Sequence, residues 1–426
     1  MKQIFDTYLE NEAEINTWLE GLAPKEELPI YSSIDIRESD TKLSSIDTNL
    51  FPAGFNNLCM FSIQRAHTVF KEAILSKKPS CKHILLICEE HTRNKWYLEN
   101  IYNIKLIANK AGFEVTVATF MKDGLKDLNS DYIDVESALE NPLRIHRLRP
   151  IIDGIKTGNT DIDLILLNND LSEGVPDDLI ESKIPIFPSP CVGWHNRKKT
   201  THFKCFNKIS ADLCQKLDPS GNLDPWFIST LYDEESNIDI NSETDRQKLY
   251  QTAKTLLENI QEKYDQHHIK DAPYIFIKAN SGTYGMGVLP IYHAEEILEL
   301  NRKARNRLFK GKGSIPITGY ILQEGINSSL KIGGNSAEIV LYLINNTCIG
   351  SFYRVNADKK SSENLNSSGM SFKRVCAKND REPLDDAQYT ASDDCGISLP
   401  TRQQKCYSLI GKIAGIAAYF EKEESQ

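Results

Sequence analysis

The chain has 426 residues, of which 40% are hydrophobic and 26% are charged, so it can bury a large core and divide into two or three lobes. Its formal charge of −9 argues against a broad surface for nucleic acid or for an anionic membrane. No window approaches the roughly 20 apolar residues that span a bilayer, and the acidic start is unlike a signal peptide, so we expect a cytoplasmic protein.

The first segment, residues 1–80, is predicted to hold a helical lead-in and a set of substrate-binding loops. Residues 1–30 have a helical pattern. Residues 44–57 form a polar, turn-rich stretch punctuated by Pro52 and Gly54. A ligand could meet these polar side chains.

A βαβ unit is predicted from residue 82 onward. Residues 83–88 are a short apolar run, and Thr92 is placed to cap the helix that follows. Gly112 suits the C-terminal end of that helix, and residues 113–120 resume as a strand.

Two further strands are predicted at residues 164–167 and 184–187. If they run parallel to the first strand, the loops 89–92 and 168–174 gather at one carboxyl edge, where open α/β sheets bind ligands. We therefore predict an open, mainly parallel α/β lobe over residues 81–240.

The remaining residues, 241–426, have the pattern of an α+β lobe. The predicted elements are a helix at 242–265, strands at 274–278, 287–292, 320–324, 337–344 and 347–355, and a final helix at 401–420. Asn345 and Asn346, between the last two strands, are a tight-turn signal and predict a hairpin.

The strongest chemical signal is a glycine-rich hairpin at residues 274–291. A strand ending at Lys278 precedes a loop that contains Gly282, Gly285 and Gly287. Glycines let backbone amides approach phosphate oxygens because no Cβ blocks them, and the lysine adds a positive charge. The order GxxGxG followed by a strand does not fit a Walker A loop or a dinucleotide fingerprint, because both open a helix. The hairpin predicts a triphosphate site, with a structural turn as the simple alternative.

Polar residues that suit a nucleotide follow the hairpin. The strand 320–324 becomes polar at Gln323 and Glu324, where an adenosine could bind, although these residues could also be a plain strand end. Glu338 and Arg354 follow in the next two predicted strands.

A loop at residues 361–370 supplies candidate metal ligands. Glu363 with Asn364 or Asn366 offers the carboxylate and carbonyl oxygens that Mg²⁺ prefers beside a phosphate. The simple alternative is a solvated loop.

In this order, the lysine, the glycine-rich hairpin, the Gln-Glu strand end, the acid, the arginine and the asparagine-rich turn resemble ATP-grasp ligases. More specifically, the chain resembles the glutamate-cysteine ligases of some proteobacteria. The segments that carry this resemblance are IDTNLFPAGFNNL (46–58), HTRNKWYLENI (91–101), LLNNDLSEGVP (166–176), GWHNRKKTTHF (193–203), IKANSGTYGMGV (277–288), LQEGI (322–326), and FYRVN with ENLNSSGM (352–370). The resemblance implies an ATP-grasp-like fold for the second lobe.

The resemblance implies that γ-glutamylcysteine is formed from L-glutamate and L-cysteine, the first step of glutathione biosynthesis. ATP and Mg²⁺ are the implied cofactors: ATP phosphorylates the γ-carboxylate of glutamate, and the cysteine amine attacks the acyl phosphate. Such chemistry needs cations at the phosphates and the exclusion of water, so a mobile glycine-rich lid is expected.

The resemblance also implies roles for individual residues. Lys278 and Arg354 are the predicted catalytic residues, with Arg354 on the transferred phosphoryl group. The predicted nucleotide contacts are Lys278, Ser281, Gly282, Thr283, Gly285, Gly287, Gln323 and Glu324, and the predicted metal ligands are Glu338, Glu363 and Asn366. The predicted substrate contacts, in which arginines meet carboxylates and acids or amides meet ammonium groups, are Arg37, Asp47, Asn49, Asn57, Arg93 and Asp170.

Some features leave alternatives open. The basic cluster Arg197, Lys198 and Lys199 is a further candidate for the amino-acid substrate site, with a solvated face as the simple alternative. The Glu-x-Asn pair that many ATP-grasp enzymes carry after the last helix is not found, so Glu338, Asp358 or the Glu363 loop would have to bind the metal. Another amino-acid ligase with a different amine acceptor and a non-catalytic ATP-binding regulator stay possible, whereas the glycine order disfavours a nicotinamide oxidoreductase. The oligomeric state is left open.

Overall fold

A computed structural model gives the fold and describes residues 1–90, 93–120, 130–281, 287–309, 316–376 and 396–425. These residues form a mixed α/β structure with three sheets, which confirms the predicted α/β class. Within them, no helix combines the length and the apolar character needed to cross a bilayer.

The helices and strands that were predicted lie close to observed ones, but the prediction that residues 44–57 are a turn-rich loop is wrong for residues 44–49, which belong to a strand. The α-helices of the described residues are α1 (Lys2–Glu10), α2 (Glu12–Glu20), α3 (Met60–Lys77), α4 (Lys95–Lys110), α5 (Leu148–Lys156), α6 (Asp177–Ser182), α7 (Lys199–Leu217), α8 (Glu243–Gln266), α9 (Arg302–Phe309) and α10 (Thr401–Ser425). The strands are β1 (Tyr31–Glu38), β2 (Leu43–Asn49), β3 (His83–Cys88), β4 (Glu114–Thr119), β5 (Tyr132–Glu136), β6 (Pro142–Arg147), β7 (Leu164–Asn168), β8 (Ile186–Phe187), β9 (Tyr232–Glu235), β10 (Ile275–Ala279), β11 (Leu289–Ile291), β12 (Tyr320–Glu324), β13 (Lys331–Ile332), β14 (Asn335–Ile344), β15 (Thr347–Asn356), β16 (Met370–Cys376) and β17 (Ile397–Ser398).

The first sheet is mainly parallel. Its order is β5-β6-β4-β3-β7-β8, and only β5 and β6 are antiparallel to each other. Helix α4 connects the parallel strands β3 and β4, which confirms the predicted βαβ unit. Asn94 caps α4 by accepting a hydrogen bond from the amide of Tyr97, whereas the predicted cap, Thr92, lies outside the described residues. Gly112 adopts a φ of 98° just after the helix, as its predicted place requires.

The loops after β3 and β7 meet at the carboxyl edge of this sheet, as predicted. The amide of Asp170 donates to the carboxylate of Glu89 (3.0 Å). The hydroxyl of Tyr97 accepts from the amide of Glu89 and donates to the carbonyl oxygen of Asn168. This edge faces the start of α4.

The second sheet joins distant parts of the chain. Its order is β17-β16-β15-β14-β1-β2, β13 lies beside β14, and all pairs except β16–β17 are antiparallel. β14 and β15 form the predicted hairpin, in which Asn345 and Asn346 adopt φ angles of 47° and 63°. Such left-handed pairs fit a two-residue hairpin turn.

The third sheet is antiparallel, with the order β11-β10-β12-β9. β10 and β11 are the two strands of the predicted glycine-rich hairpin. One face of this sheet, with Ile275, Ile277 and Leu322, packs against Leu249 and Leu256 of α8. The alternate residues of β10 and β12 are on the opposite face and therefore point toward the second sheet.

Two strand pairings cross the predicted lobe boundaries. β1 and β2, from residues 1–80, complete the sheet of β14, and β9 pairs with β12 although they were predicted to belong to different lobes. The division into residues 1–80, 81–240 and 241–426, and the ATP-grasp-like character of the last part, stay predictions.

Candidate functional site

A cavity of about 900 Å³ lies over one face of the second sheet. Its floor consists of alternate residues of four strands: Ser33, Asp35, Asp47, Asn49, Glu338, Val340, Tyr342, Phe352 and Arg354. The intervening residues belong to the apolar core that contains α10: Ile34, Ile36, Ile339, Leu341 and Tyr353. The two-residue period of the strands thus separates a core face from a polar cavity face.

The walls of the cavity come from several other segments. Four of them are the loop before α3 (Asn56, Asn57), the start of α4 (Asn94, Trp96, Tyr97), the segment leading into α7 (Trp194, Arg197, Lys199) and the end of β10 (Lys278, Asn280); Asn364 and Asn366, beyond β15, add a fifth part of the lining. The charged residues lining the cavity, within the described ranges, are the cations Arg197, Lys199, Lys278 and Arg354 and the carboxylates Asp35, Asp47 and Glu338. This composition suits an anionic or zwitterionic ligand.

Lys278 is a buried cation at the cavity wall, with 8% of its surface exposed. Its Nζ donates to the side-chain oxygen of Gln323 (2.6 Å) and to the carbonyl oxygen of Ile46 (3.0 Å). Burial lowers the pKa of Lys278 to about 8, although Asp47 acts to raise it. One of the three N–H groups of the ammonium has no acceptor among the described residues.

The glycine-rich loop itself lies mostly outside the described residues, including Gly282, Thr283 and Gly285. Ser281 is exposed, and Gly287 is buried with a φ of 68°, a left-handed conformation that glycine adopts without strain. The predicted contacts of this loop with phosphates stay predictions.

Asn280 holds the glycine-rich hairpin to the start of α7. Its carbonyl oxygen accepts from the amide of Lys199 (2.8 Å), and its side-chain oxygen accepts from the amide of Thr200 (3.0 Å). These bonds give acceptors to the first amides of α7, whose N-cap residue makes no side-chain capping hydrogen bond. The hairpin and the helix therefore form one wall.

Arg354 is held by two carboxylates on the cavity floor. Its Nη1 donates to Asp35 (2.8 Å) and to Glu338. Burial acts to lower the pKa of Arg354, but Asp35 and Glu338 outweigh it and raise the pKa. The buried Nε has no acceptor within the part of the chain that is described.

Arg37 ties the sheet to two loops. Its Nε donates to Glu338 (2.9 Å), and its two Nη atoms donate to the carbonyl oxygens of Ile326, Ser361 and Glu363. Arg37 is 2% exposed, and these bonds compete with the predicted contact to a substrate carboxylate, which stays a prediction. Burial acts to raise the pKa of Glu338, but Arg37 and Arg354 outweigh it and lower the pKa.

The predicted metal ligands are not assembled into one site by the described residues. Each carboxylate oxygen of Glu338 already accepts from an arginine, and Glu363 accepts from the amide of Lys360 and pairs with Lys359 (3.2 Å). Asn366 lines the cavity. Across the described ranges, no three His, Cys, Asp or Glu side chains are gathered in a way that could hold a metal ion.

Gln323 and Glu324 make different contacts at the end of β12. Gln323 accepts from Lys278, and its buried Nε2 has no acceptor in the described ranges. Glu324 accepts from Lys42 (2.7 Å), from the indole Nε1 of Trp226 (3.1 Å) and from the amide of Leu231 (2.9 Å). The predicted contact of Glu324 with an adenosine would compete with all three bonds.

Among the predicted substrate residues, Asp47, Asn49 and Asn57 line the cavity. Asp47 pairs with Lys199 (2.5 Å). Burial acts to raise the pKa of Asp47, but Lys199 and Lys278 outweigh it and lower the pKa to about 2. Asp47 is therefore an ionised carboxylate that can meet an ammonium group.

Arg93 and Asp170, the other two predicted substrate residues, are not among the cavity-lining residues of the described chain. Arg93 is exposed just before α4. Asp170 is 2% exposed in the loop after β7, where its carboxylate accepts from the amide of Ser172 (2.9 Å). Their substrate roles stay predictions.

Sequence reasoning missed Asp35 and assigned too little to Arg197. The interpretation of the basic run as a solvated face is wrong for Arg197, which is 6% exposed, lines the cavity and pairs with Glu421 of α10. Strand alternation could have found Asp35, because it lies two residues from Ser33 on the polar face of β1.

Comparisons with known proteins agree with the resemblance seen in the sequence. The profile of a family described as glutamate-cysteine ligase matches residues 6–422. A crystal structure from Methylobacillus flagellatus, provisionally described as a gamma-glutamylcysteine synthetase, is 27% identical, covers 100% of this chain and 96% of its own, and superimposes with a TM-score of 0.81. A D-alanyl-alanine synthetase A from Vibrio cholerae is 15% identical over 65% of this chain and 68% of its own; its TM-score of 0.29 is too low to carry an argument. A search of curated proteins gave no match.

Proposed function

This chain belongs to the glutamate-cysteine ligase family of carboxylate-amine ligases, and we propose that its cavity binds ATP, L-glutamate and L-cysteine and forms γ-glutamylcysteine through a γ-glutamyl phosphate. In this proposal Lys278 and Arg354 contact the phosphates, and the residues of β2 and the loop before α3 contact the amino acids. We place the reaction in the cytoplasm.

The observation that carries the nucleotide part is a set of buried donors without acceptors. Beside the cavity, within the described ranges, they include the Nε of Arg354, the Nε2 of Gln323 and the Nδ2 of Asn364, and further unpaired buried donors lie elsewhere in the described chain. Buried donors in proteins nearly always have a partner, and each one left unpaired costs about 1–3 kcal/mol. Arg354 and Asn364 line the cavity, and Gln323 contacts Lys278, which also lines it. A ligand with many acceptor oxygens, such as a triphosphate, would satisfy all three.

The proposed reaction has two steps. An oxygen of the glutamate γ-carboxylate attacks the terminal phosphorus of ATP, the bond from that phosphorus to the bridging oxygen breaks, and ADP leaves. The cysteine nitrogen then attacks the acyl carbon, the carbon–oxygen bond to phosphate breaks, and the nitrogen loses a proton. Lys278 and Arg354 would stabilise the negative charge that moves onto phosphate oxygens in both steps.

In this proposal a divalent ion binds only together with the nucleotide. Mg²⁺ commonly keeps several waters and binds through one or two carboxylates and the substrate phosphates. The carboxylates of Glu338 and Glu363 are engaged by basic groups and the Lys360 amide, so the described residues do not fit a complete metal site. We assign no step to the ion.

The test is to incubate the protein with ATP, Mg²⁺, L-glutamate and one amine at a time while phosphate release is followed. Release that needs cysteine, with γ-glutamylcysteine identified by mass spectrometry, is expected. Turnover with a different amine but not with cysteine would instead identify another amino-acid ligase. Tight ATP binding without turnover on any amine would identify a non-catalytic regulator.

A further inference from the structure

Three cations contact successive residues along the edge strand β2. Lys278 donates to the carbonyl oxygen of Ile46, Lys199 pairs with the carboxylate of Asp47, and Arg197 donates to the carbonyl oxygen of Thr48. A strand rises by roughly 3.3 Å per residue, so the strand atoms that Lys278 and Arg197 contact are about 7 Å apart. The same wall of the cavity thus presents two cations that contact the residues on either side of the ionised Asp47.

Arg197 is buried, but some of its N–H groups have no acceptor among the described residues. Its Nε and Nη2 donate to the carboxylate of Glu421, and its Nη1 donates to Thr48. A guanidinium has five N–H groups, so two have no acceptor among the residues that the structure describes. Since Arg197 lines the cavity, these donors can bind a ligand, and a planar fork of this kind matches a carboxylate.

The position of Arg197 is set by the last turns of α10. Glu421 is fully buried and also binds the Nδ1 of His202 (2.8 Å). A bidentate pair to a buried carboxylate fixes the plane of the guanidinium, so its remaining donors point in one direction. This rigidity favours recognition of a carboxylate over mere neutralisation of charge.

We propose that Arg197 binds the α-carboxylate of the glutamate substrate while the γ-carboxylate lies toward Lys278 and the phosphates. This inference rests on the proposed function. The two carboxyl carbons of an extended glutamate lie roughly 5 Å apart, so its two carboxylates can lie alongside cations that contact strand atoms about 7 Å apart.

The experiment combines a change in the protein with the matching change in the substrate. KM is measured for L-glutamate and for its α-amide, which lacks the α-carboxylate charge, in the wild type and in Arg197→Gln, with ATP and cysteine saturating. We expect the α-amide to raise the wild-type KM roughly 10- to 100-fold, as for the loss of a hydrogen bond between charged groups. Arg197→Gln should raise the KM for glutamate by a similar factor and leave the KM for the α-amide almost unchanged.

Two further variants separate recognition from folding. Arg144→Gln removes an exposed arginine that pairs with Asp134 on the edge of the first sheet, and both KM values should match those of the wild type. Arg197→Gln leaves Glu421 buried without its arginine, so the double variant Arg197→Gln/Glu421→Gln is measured as well. The double variant should fold well enough to bind an ATP analogue. Its KM for glutamate should rise while its KM for the α-amide stays almost unchanged.

Equal increases of both KM values in Arg197→Gln would overturn the proposal and leave Arg197 with a structural role. A selective increase of the KM for cysteine would overturn it too. If the wild type makes no product with any amine, the proposed function fails, and calorimetric binding of glutamate and its α-amide to the same variants then decides the question of Arg197 separately.

Discussion

Lys42 and Lys278 are two buried lysines beside the same strand, β12, and they are bonded in different ways. Burial lowers the pKa of each to about 8. Lys42 pairs with Glu324 (2.7 Å) and lies 4.1 Å from the centre of the Trp226 ring. Lys278 donates to two neutral oxygens and lies 5.7 Å from the centre of the Phe276 ring, and its partner Gln323 keeps an unpaired donor.

The difference teaches how to separate scaffold from site. Lys42, Glu324 and Trp226 contact one another, and the charge of Lys42 is balanced by the carboxylate of Glu324. The bonds of Lys278 and Gln323 are incomplete without a further partner, and they lie next to the cavity. Burial and pKa alone do not distinguish the two lysines, whereas their partners do: a carboxylate and an indole ring contact Lys42, and neutral oxygens accept from Lys278.

The largest expected effect is on stability, from Lys42→Met. The change leaves the carboxylate of Glu324 buried without a cation, and the free energy of unfolding should fall by about 3–5 kcal/mol. Urea unfolding followed by circular dichroism measures it. The double variant Lys42→Met/Glu324→Leu should recover most of the loss, because replacing a whole buried pair by apolar residues is often nearly neutral.

A different result for Lys42→Met would remove the distinction between the two lysines. If stability is retained and affinity for ATP is lost, Glu324 and Lys42 belong to the nucleotide site, as the sequence suggested for Glu324.

The next largest effect is on catalysis, from Lys278→Ala. We expect kcat/KM to fall at least about 100-fold, or about 3 kcal/mol, because the cation stabilises charge on the phosphates. The sequence alone predicts an almost unchanged Tm, since the lysine was expected to contact only ligand. Because the buried ammonium of Lys278 is hydrogen-bonded to Gln323 and Ile46, we instead expect the free energy of unfolding to fall by about 1–2 kcal/mol. Unaltered kinetics with a large loss of stability would make Lys278 a structural residue.

A smaller effect is expected from pH. The folded pKa of Lys278, about 8, lies below the ordinary value of 10.5, so the ammonium loses its charge as pH rises through 8. Affinity for an ATP analogue should then fall, by up to about tenfold per pH unit. Between pH 8 and 10.5 the unfolded chain binds the extra proton, so this group's contribution to stability rises with pH over the same window.

Arginine substitutions make this pH dependence a comparison of the two lysines. Lys278→Arg should flatten the affinity profile, because a guanidinium stays charged, whereas Lys42→Arg should leave the fall in place. Fluorescence titration with a labelled nucleotide measures both. If the affinity profile flattens only in Lys42→Arg, the titrating group is Lys42, and our assignment of the titration to Lys278 is wrong.

The smallest effect is expected from Gln323→Met, which keeps the length of the side chain. It removes a buried donor that lacks an acceptor together with an acceptor for Lys278, so the free energy of unfolding should change by less than about 1 kcal/mol. Nucleotide affinity should still weaken several-fold, which calorimetry can detect. A loss of stability without a change in affinity would place the unpaired donor outside the site.

The sequence predicted the features that depend on nearby residues. The Asn345-Asn346 hairpin, the βαβ unit and the two strands of the glycine-rich hairpin follow from turn signals and periodicity over short windows. The sequence offers two suitable cap residues for α4, Thr92 and Asn94, and the observed cap is Asn94.

The features that sequence reasoning missed depend on contacts between distant residues. Asp35 meets Arg354, and Arg197 meets Glu421, only after the whole chain has folded. One signal was available locally: neighbours on a strand point to opposite faces, so Gln323 and Glu324 could not both face one nucleotide.

The pairing of β1 with β14 also constrains how the protein is made. Tyr31 lies opposite Ile344, so a strand near the start of the chain cannot form this pairing until a strand about 300 residues later has been synthesised. During synthesis on the ribosome, Ile34 and Ile36 lack the part of their core that β14 and α10 supply until those elements emerge, and β1 presents an open edge to other chains. The nascent protein should therefore depend on chaperones until its last quarter has been translated.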